Sequence, residues 1–511
     1  MPAILSVLKS DRFLFLLIMT PFIYMTFAVL YHGVPDLPNS GDAALLELST
    51  RNVFSRGILL GPYSRFPFFH PGPMYFQLRY PVYTLFGEKN ASLLIATVLI
   101  QVLSLFFGWK AVNGLSRGSL TTMFTVSAAL FLLSTDKSVW LSEWNPYIVV
   151  LPFMLYSVSM AAVASGRVNY LFAAVVSGSF AAQTHLSVIP SMALIGFLSM
   201  AILLYPRIVS SLKISMFQWK TLLFCMGILL VLWGAPLYQQ FFPGEGEGNM
   251  TSIVNYFRAY SPDVNPQRAI AIWSESLTNM ELGSIQAGET LRITVIMVRV
   301  LLLLASFAFL RKKGDKPFLA CMALFCAALH GMSFLSVMQI RGELNDYLIQ
   351  WAGVVPMLSL FVLLGTFTVI MGPGRERYLQ RAGAAILVIS AVALPIRSSD
   401  FFRAELHPSW EREIAVGELS DQLLNNLNWT GNTFYELNLV TTDQWPVMFG
   451  ILNSLDKRDL PIGVVDNMLY VPVPVPEGYT SRILLIGTLN EAGMALPGMA
   501  ARWNDVGLTL L

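Results

Sequence analysis

The chain has 511 residues, of which 55% are hydrophobic and 13% are charged, and its mean hydropathy is +0.59. Soluble domains carry roughly 25% charged residues, so this composition excludes an ordinary soluble protein. The formal net charge of +2 provides no basic field of the kind that attracts nucleic acid, so we expect no nucleic-acid partner.

Repeated apolar runs predict a polytopic α-helical membrane protein, because about 20 apolar residues cross the hydrocarbon core as one helix. The third and fifth runs are short, and the fifth and sixth are divided at the polar sequence QTHLS within 169–205. Cys225, Cys321 and Cys326 lie in apolar runs without a CxxC pair, which is typical of small buried side chains. We predict eleven spans: 13–31, 91–109, 119–134, 146–165, 169–184, 187–205, 221–238, 293–310, 317–336, 347–370 and 382–396.

Basic residues lie on one side of these spans. With the N-terminus in the cytoplasm, every cytoplasmic segment is basic, including RKKGDK at 311–316 and GRERYLQR at 374–381. The opposite loops hold nearly all the acidic residues of this part of the chain. An odd number of spans then places the C-terminus on the outer face.

Two long segments of the outer face, 32–90 and 239–292, belong to the predicted membrane domain, residues 1–397. After Arg397 the sequence becomes polar. Residues 411–427 and 443–455 have helical patterns, whereas TFYELNLVTT, PIGVVD and RILLIGT resemble strands. We therefore predict a small α/β domain over residues 398–511, on the outer face.

One charged residue, Arg299, falls inside the eighth predicted span. A charge within the membrane is a functional candidate by default. Its long side chain can instead extend toward the membrane surface, and the sequence leaves both interpretations open.

The first outer segment begins with NSGDAALLEL at 39–48, a predicted short helix that carries Asp42 and Glu47. A carboxylate at a partly dry interface has a raised pKa and suits general-base catalysis. The alternative is structural, because acidic residues favour the first helical turn and Ser40 is a suitable N-cap. The residues alone leave both alternatives open.

The segment GPYSRFPFFHPGPMYFQLRYP, at 61–81, combines Arg65, His70 and Arg79 with aromatic residues and prolines. Prolines preset the backbone, and arginine can bind a phosphate through two parallel hydrogen bonds. Arg65 and His70 are therefore candidates for an anion site. The aromatic residues equally fit an ordinary belt at the membrane interface.

The outer loop STDKSVWLSEWNPY, at 134–147, contains Asp136 and Glu143. Glu143 directly precedes the Trp-Asn-Pro that opens the next span. Pro146 is expected at a helix start, and Trp140 and Trp144 fit an interfacial belt. The carboxylate of Glu143 is left without such an explanation.

Two further polar clusters lie at predicted outer ends of spans. GSFAAQTHLS, at 178–187, contains Gln183 and His185, and MQIRGELNDYLIQW, at 338–351, contains Arg341 and Tyr347. A single histidine in such a setting is more often a hydrogen-bonded structural residue than a ligand. Arg341 can neutralise a phosphate or pair with a neighbouring acidic residue.

The sequence lacks a GxxxxGK[ST] loop, a GxGxxG opening a βαβ unit, Cys/His zinc spacing and a GxSxG elbow. It therefore indicates neither ATP-driven chemistry nor a Rossmann cofactor. A reaction on the outer face would need a donor that is already energised, and lipid-linked donors meet that need.

These motifs resemble the GT-C superfamily of multispanning glycosyltransferases that use polyprenyl-phosphate sugars. The resemblance lies in the order of the motifs along the chain and in their common side of the membrane. The nearest branch is the bacterial one related to protein O-mannosyltransferases and aminoarabinose transferases, which implies a location in the bacterial plasma membrane. The resemblance covers about residues 10–400. Its segments are GDAALLEL, HPGPMYFQLRYPVYTLFG, EWNPY, QTHLS and APLYQQFFPGEGEGNMTSIVNYF.

The resemblance implies roles for the candidate residues. Asp42 matches the carboxylate that deprotonates the acceptor hydroxyl, with Glu47 as second choice, and Glu143 matches a second acid that supports the site. Asp136 is a weaker candidate for a divalent metal, Mg or Mn, together with Asp42 and Glu143. Ala43 follows Asp42, so the adjacent Asp-Glu pair of that branch is missing and the metal requirement stays open. The candidates for binding the substrate or the lipid phosphate are Arg65, His70, His185, Gln183, Arg341 and Tyr347.

The expected function is transfer of a sugar from a polyprenyl phosphate to a glycan, lipid or protein acceptor outside the membrane, by one inverting displacement. The alternatives are a lipid-linked glycan transporter or flippase and an O-antigen-type polymerase. The spans carry no mid-depth charge except Arg299 and show no inverted repeat, which disfavours a transporter. The acids of the first outer loops disfavour a polymerase with basic residues in a late loop.

Overall fold

The chain forms two compact units in a computed structural model. Met1–Tyr31 and Thr97–Phe401 form the first, here called the helical unit, and His32–Ala96 and Phe402–Leu511 form the second, the sheet unit. The predicted domains grouped 32–90 with the membrane part, whereas in the structure this segment packs with C-terminal residues. The structure describes residues 11–32, 37–115, 118–205, 216–244, 246–283, 285–314, 316–399, 410–429, 431–440, 442–464, 475–488, 499–504 and 506–510.

The predicted helical class is confirmed, with 72% of the described residues in helices. The 3₁₀ segments outside the sheet unit are Val168–Tyr170, Leu186–Val188 and Asp346–Gly353. The α-helices before the C-terminal part, other than two in the sheet unit, are Asp11–Ile18, Thr20–His32, Asn90–Leu115, Ser119–Ser134, Ser138–Leu141, Asn145–Ile148, Val150–Ala164, Leu171–Thr184, Ile189–Leu204, Met216–Leu232, Gly234–Phe241, Asn249–Ala259, Pro266–Leu282, Glu289–Leu310, Pro317–Met338, Val354–Met371 and Pro373–Ser399.

Within the described part of the chain, seven helices are long and apolar enough to cross a membrane. The bent pair Trp219–Leu232 and Gly234–Phe241, with 53° between its halves, makes eight if it counts as one span. The chain is therefore a multi-pass membrane protein. The first, third and fifth predicted runs form shorter helices, so the number eleven stays a prediction. The seven are Asn90–Leu115, Asn145–Ala164, Leu186–Leu204, Glu289–Leu310, Pro317–Met338, Asp346–Met371 and Tyr378–Arg397.

The apolar stretch 169–205 divides at QTHLS. The helix Leu171–Thr184 ends there because His185 has an extended backbone, with φ −150° and ψ 114°. A 3₁₀ turn at Leu186–Val188 then starts the next helix, and Pro190 occupies its first turn, where proline costs no hydrogen bond.

The sheet unit contains a five-stranded sheet in the order β2-β1-β3-β5-β4. β1 is parallel to β2 and β3, whereas β5 is antiparallel to β3 and β4. The strands are β1 (Thr433–Leu439), β2 (Ile462–Gly463), β3 (Thr480–Thr488), β4 (Met499–Trp503) and β5 (Val506–Leu510), and the helices are Gly41–Asn52, Met74–Leu85, Trp410–Asn426 and Trp445–Asp456, with a 3₁₀ turn at Thr442–Gln444.

The predicted C-terminal helices and first strand match this sheet unit closely. RILLIGT lies in β3, and the first part of PIGVVD forms β2, while Val465 and Asp466 lie outside the described residues. The strands β4 and β5 were not predicted. Trp445–Asp456 connects β1 to the parallel β2, as a crossover helix must.

The helix Gly41–Asn52 completes the core of the sheet unit. Ala44, Leu45 and Leu48 lie on one face of this helix and are at most 2% exposed. They join one apolar cluster with residues of the two C-terminal helices and the sheet. Burial of this apolar face therefore explains why the first outer segment belongs to the sheet unit.

We expect Leu48→Ala to lower the free energy of unfolding of the sheet unit by about 2–5 kcal/mol, because it opens a cavity in a packed core. The matched control is Leu85→Ala, because Leu85 is 79% exposed whereas Leu48 is 0% exposed. Thermal unfolding and limited proteolysis of the purified protein measure the difference. Equal stability of the two variants would contradict the packing described here.

Candidate functional site

Asp42 lies in the first turn of the helix Gly41–Asn52 and is half-buried. The preceding Gly41 has φ +54°, a left-handed conformation that favours glycine. A Cβ atom at Gly41 would lie 3.4 Å from Cβ of Pro446 and 3.7 Å from the ring of Trp445. Ser40 makes no side-chain cap hydrogen bond, so the expected N-cap is not formed.

The carboxylate of Asp42 accepts a hydrogen bond from the hydroxyl of Tyr63. The Tyr63 ring packs edge-on against Trp445, with 6.3 Å between the ring centroids. Tyr63 is fixed by a small hairpin, in which it forms a β-bridge with Phe69 and His70 N donates to Pro62 O at 2.9 Å. Three distant segments therefore meet at Asp42.

Glu47 is 1% exposed, and both of its oxygens are fully hydrogen-bonded. Oε2 accepts from Asn39 Nδ2 and Asn453 Nδ2, each at 2.7 Å. Oε1 accepts from Tyr83 Oη at 2.8 Å and Lys457 Nζ at 3.0 Å. These four donors satisfy the hydrogen-bonding capacity of the carboxylate, which is typical of a buried structural anion.

The charge of Glu47 is stabilised in spite of its burial. Burial opposes ionisation, but the charge of Lys457, the hydrogen bonds from Lys457 and Tyr83, and the charge of Arg51 outweigh it. The pKa of Glu47 is therefore lowered from its ordinary value of 4.5. A carboxylate with a lowered pKa and no exposed oxygen is poorly suited to abstract a proton.

A second buried carboxylate, Asp456, continues this network. It accepts from Arg51 at 2.7 Å and from Asn52 at 3.0 Å, and it also pairs with Arg56. Arg51 in addition donates to Asn453 Oδ1 at 3.0 Å. Burial opposes ionisation of Asp456, but Arg51 and Arg56 outweigh it and lower its pKa.

The basic residues of the segment 61–81 differ in their access to solvent. Arg65 is exposed, and its guanidinium lies 4.9 Å from the Phe66 ring centroid. His70 is 7% exposed and Arg79 is 0% exposed. Arg79 donates to the hydroxyl of Tyr75 at 2.7 Å and covers its ring. Among these three side chains, Arg65 is the one that an anion can reach from solvent.

In the helical unit, Glu143 is half-buried between the short helices Ser138–Leu141 and Asn145–Ile148. The adjacent Trp144 packs on Tyr347, with 4.8 Å between ring centroids. The structure thus brings together two of the predicted polar clusters. Asp136 is exposed, and it accepts from Ser138 N at 2.8 Å at the start of the first short helix.

Gln183 and His185 make structural hydrogen bonds at the break in QTHLS. Gln183 is 0% exposed and donates to Leu232 O at 2.8 Å, where the bent span changes direction. His185 is 4% exposed, and its Nδ1 lies 2.6 Å from Ser187 Oγ.

Arg341 binds the end of another helix. Its guanidinium donates to Tyr260 O at 3.1 Å and Phe257 O at 3.3 Å, and it covers the Phe257 ring. Both carbonyls lie at the C-terminal end of the helix Asn249–Ala259, where the last carbonyl groups have no N–H donor within the helix.

Arg299 faces the interior of the helical unit and is 6% exposed. It forms an ion pair with Glu281 at 2.8 Å and donates to Leu277 O at 2.7 Å. The Arg299 side chain therefore points into the helical unit and does not extend toward the membrane surface. The ion pair joins the helices Pro266–Leu282 and Glu289–Leu310.

The predicted metal set of Asp42, Asp136 and Glu143 stays a prediction. Among the described residues, no group of three or more His, Cys, Asp or Glu side chains lies close enough to hold a metal ion.

An apolar cavity of about 530 Å³ opens between helices of the helical unit. Helices Val150–Ala164, Leu171–Thr184 and Ile189–Leu204 and the bent pair supply its walls. Ser179 and Trp233 contribute polar atoms to its lining, and Trp233 Nε1 donates to Ser179 Oγ at 3.1 Å.

The fold is similar to that of ArnT from Cupriavidus metallidurans. ArnT bound to undecaprenyl phosphate matches 96% of this chain and 97% of its own, with 10% identity and a TM-score of 0.59. Apo ArnT matches the same shares, with 11% identity and a TM-score of 0.54. The oligosaccharyltransferase AglB from Archaeoglobus fulgidus matches 88% of this chain and 63% of its own, at 13% identity and a TM-score of 0.44, which is too low to support a conclusion.

No protein-family model and no curated protein matches the sequence. ArnT is a bacterial aminoarabinose transferase of the GT-C superfamily. The fold that the predicted resemblance implies is therefore confirmed over nearly the whole chain.

Most of the residues that surround Asp42 and Glu47 were not predicted. Tyr63 lies inside the segment 61–81, where Arg65 and His70 were the candidates for the site and the aromatic residues were explained as an interfacial belt. Trp445, Asn453 and Lys457 carry no local signal, because Asn453 is 406 residues from its partner Glu47.

The stability of the sheet unit should fall as the pH drops below about 4.5, the ordinary value for Glu47. Glu47 and Asp456 both have lowered pKa values in the folded protein. Their contribution is therefore complete above their ordinary values and is lost as the pH falls through the folded-state values. Urea unfolding between pH 7 and pH 3 measures it. Stability independent of pH over this range would contradict the ion pairs.

We expect Lys457→Met to destabilise the sheet unit by about 1–3 kcal/mol, because it leaves a buried carboxylate without its cation. The pKa of Glu47 should then rise, so the acid-induced loss should begin at a higher pH. Lys89→Met, at an exposed lysine of the same unit, is the matched control. If Lys457→Met and Lys89→Met unfolded alike at every pH, the role of Lys457 would be refuted.

Proposed function

We propose that this chain is an integral-membrane glycosyltransferase. It transfers a sugar from a polyprenyl-phosphate donor to a glycan, lipid or protein acceptor on the extracytoplasmic face of a bacterial plasma membrane. The observation that supports this most directly is the ArnT-like fold over 96% of the chain, because that relative was crystallised with undecaprenyl phosphate.

Asp42 is the general base in this proposal. The acceptor oxygen attacks the anomeric carbon, its proton passes to the Asp42 carboxylate, and the bond from the anomeric carbon to the phosphate oxygen breaks. One displacement inverts the anomeric centre. Asp42 suits this role better than Glu47, because Asp42 is half-buried whereas both Glu47 oxygens are occupied by four donors.

The departing polyprenyl phosphate is anionic and needs cations rather than an acid. We assign Arg65 to this task on the ground of its exposure, with His70 as a neighbour in the same hairpin. Glu143 is the proposed second carboxylate, which stabilises the oxocarbenium-like transition state. For Gln183, His185, Arg341 and Tyr347 a role in substrate binding stays a prediction, because the described contacts of these side chains are structural.

The polyprenyl tail requires an apolar groove that lipids can enter. The cavity of about 530 Å³ beside the bent span has suitable walls, with Leu229, Leu230 and Leu237 on one side. We propose that this cavity holds isoprene units of the polyprenyl tail. Eleven spans, a cytoplasmic N-terminus and an outer C-terminal domain complete the proposed topology.

We expect Asp42→Asn to lower kcat for sugar transfer by about 100-fold or more, because a positioned general base contributes about 10²–10⁴-fold. The purified protein is given a panel of radiolabelled polyprenyl-phosphate sugars and membrane extract, and the label in acceptor is counted. Asp421→Asn is the matched control, because Asp421 is 67% exposed and its ion pair with Arg458 is long, at 3.4 Å.

Two results would contradict this proposal. Unchanged transfer by Asp42→Asn would refute the assignment of the base. Movement of lipid-linked substrate across proteoliposomes without any new glycosidic bond would refute the glycosyltransferase and favour a flippase.

A further inference from the structure

We propose that Tyr63 and Trp445 are positioning residues for Asp42. In this inference the C-terminal segment is part of the apparatus that orients the base, although its sequence carries no recognisable motif. The inference rests on the proposed function of Asp42.

The hydroxyl of Tyr63 is the group that acts on the carboxylate directly. It donates a hydrogen bond to Oδ1 of Asp42. A donor to the ionised form stabilises that form and fixes the direction of the remaining lone pairs. The hydrogen bond from Tyr63 therefore favours the ionised form of the Asp42 carboxylate and restricts its orientation.

Trp445 supports this arrangement from two sides. Its ring packs edge-on against the ring of Tyr63. It also lies 3.7 Å from the position of a Cβ atom on Gly41, the residue directly before Asp42. Trp445 and Pro446 thus pack at van der Waals distance beside residue 41, where the φ of +54° favours glycine, and they support the start of the helix with Asp42.

The buried ion pairs hold the two helices in register. The helix Gly41–Asn52 has Asp42 at one end, Glu47 at its centre and Arg51 in its last turn. Glu47 and Arg51 both contact the helix Trp445–Asp456, at Asn453 and Asp456. A helix anchored at its centre and at its end cannot turn or slide, so the position of Asp42 relative to Trp445 is set.

The test uses Tyr63→Phe in the full-length protein, because phenylalanine keeps the ring that packs on Trp445 and removes only the donor. We expect kcat to fall about tenfold, with KM for the lipid-linked donor unchanged. The acidic limb of the pH–rate profile should move up by about one pH unit, since a hydrogen bond of roughly 1.4 kcal/mol to the ionised form is lost. Tyr479→Phe, at a tyrosine that is 37% exposed, is the matched control.

Two variants of Trp445 test the support of the ring. Trp445→Ala should lower kcat more than Trp445→Phe, because phenylalanine retains an aromatic edge against Tyr63. Gly41→Ala should lower kcat with an unchanged acidic limb, because it displaces the base without removing the donor. Thermal unfolding of each variant excludes loss of the fold as the cause.

The outcomes separate this inference from the proposed function. If Asp42→Asn is inactive but Tyr63→Phe keeps the wild-type kcat and pH profile, the positioning role is wrong and the base assignment stands. A fall in kcat for Tyr63→Phe without any movement of the acidic limb also overturns the positioning role. If Asp42→Asn transfers sugar normally, the base assignment fails and this inference fails with it.

Discussion

The sheet unit depends on one buried anion. Glu47 lies on a short helix that, taken alone, would be a marginal helix in water. Its two oxygens accept four hydrogen bonds, from Asn39, Tyr83, Asn453 and Lys457. Removing any of these donors leaves part of a buried charge unsatisfied, which costs more than the bond itself contributes. The carboxylate therefore fixes which C-terminal helix the first outer segment contacts, while the apolar face at Ala44, Leu45 and Leu48 provides most of the favourable burial.

Much of the fold was predictable from the sequence because membrane spans are long, apolar and local. Each predicted run lies on helical residues, although 13–31, 146–165 and 221–238 are each divided between two α-helices. The break at QTHLS falls where polar residues interrupt an apolar stretch. The helices and the first strand after residue 409 followed from their periodicity. The strands β4 and β5 did not, because strands of only five residues give weak alternation.

The candidate site was predictable only in part. Asp42 stands out locally, as an acidic residue just after a span, and Arg299 stands out as a charge within one. The difference between Asp42 and Glu47, five residues apart, depends on partners more than 400 residues away, such as Asn453. Arg341 and Gln183 likewise look available in sequence, whereas in the structure they donate to backbone carbonyls at helix ends. Hydrogen-bond satisfaction is a property of the folded chain and has no signature in a short motif.

The long separation between Glu47 and its partners has a consequence for synthesis. The first outer segment leaves the ribosome early, but the helix Trp445–Asp456 follows about 400 residues later, which takes roughly 20–80 s at ordinary elongation rates. During that interval the apolar face of Gly41–Asn52 has no C-terminal partner to cover it. The segment with Asp42 thus reaches its final form only after nearly the whole chain has been made, and a truncated product retains spans but lacks an assembled site. Completion of translation therefore determines when the segment with Asp42 can assemble with its C-terminal partners.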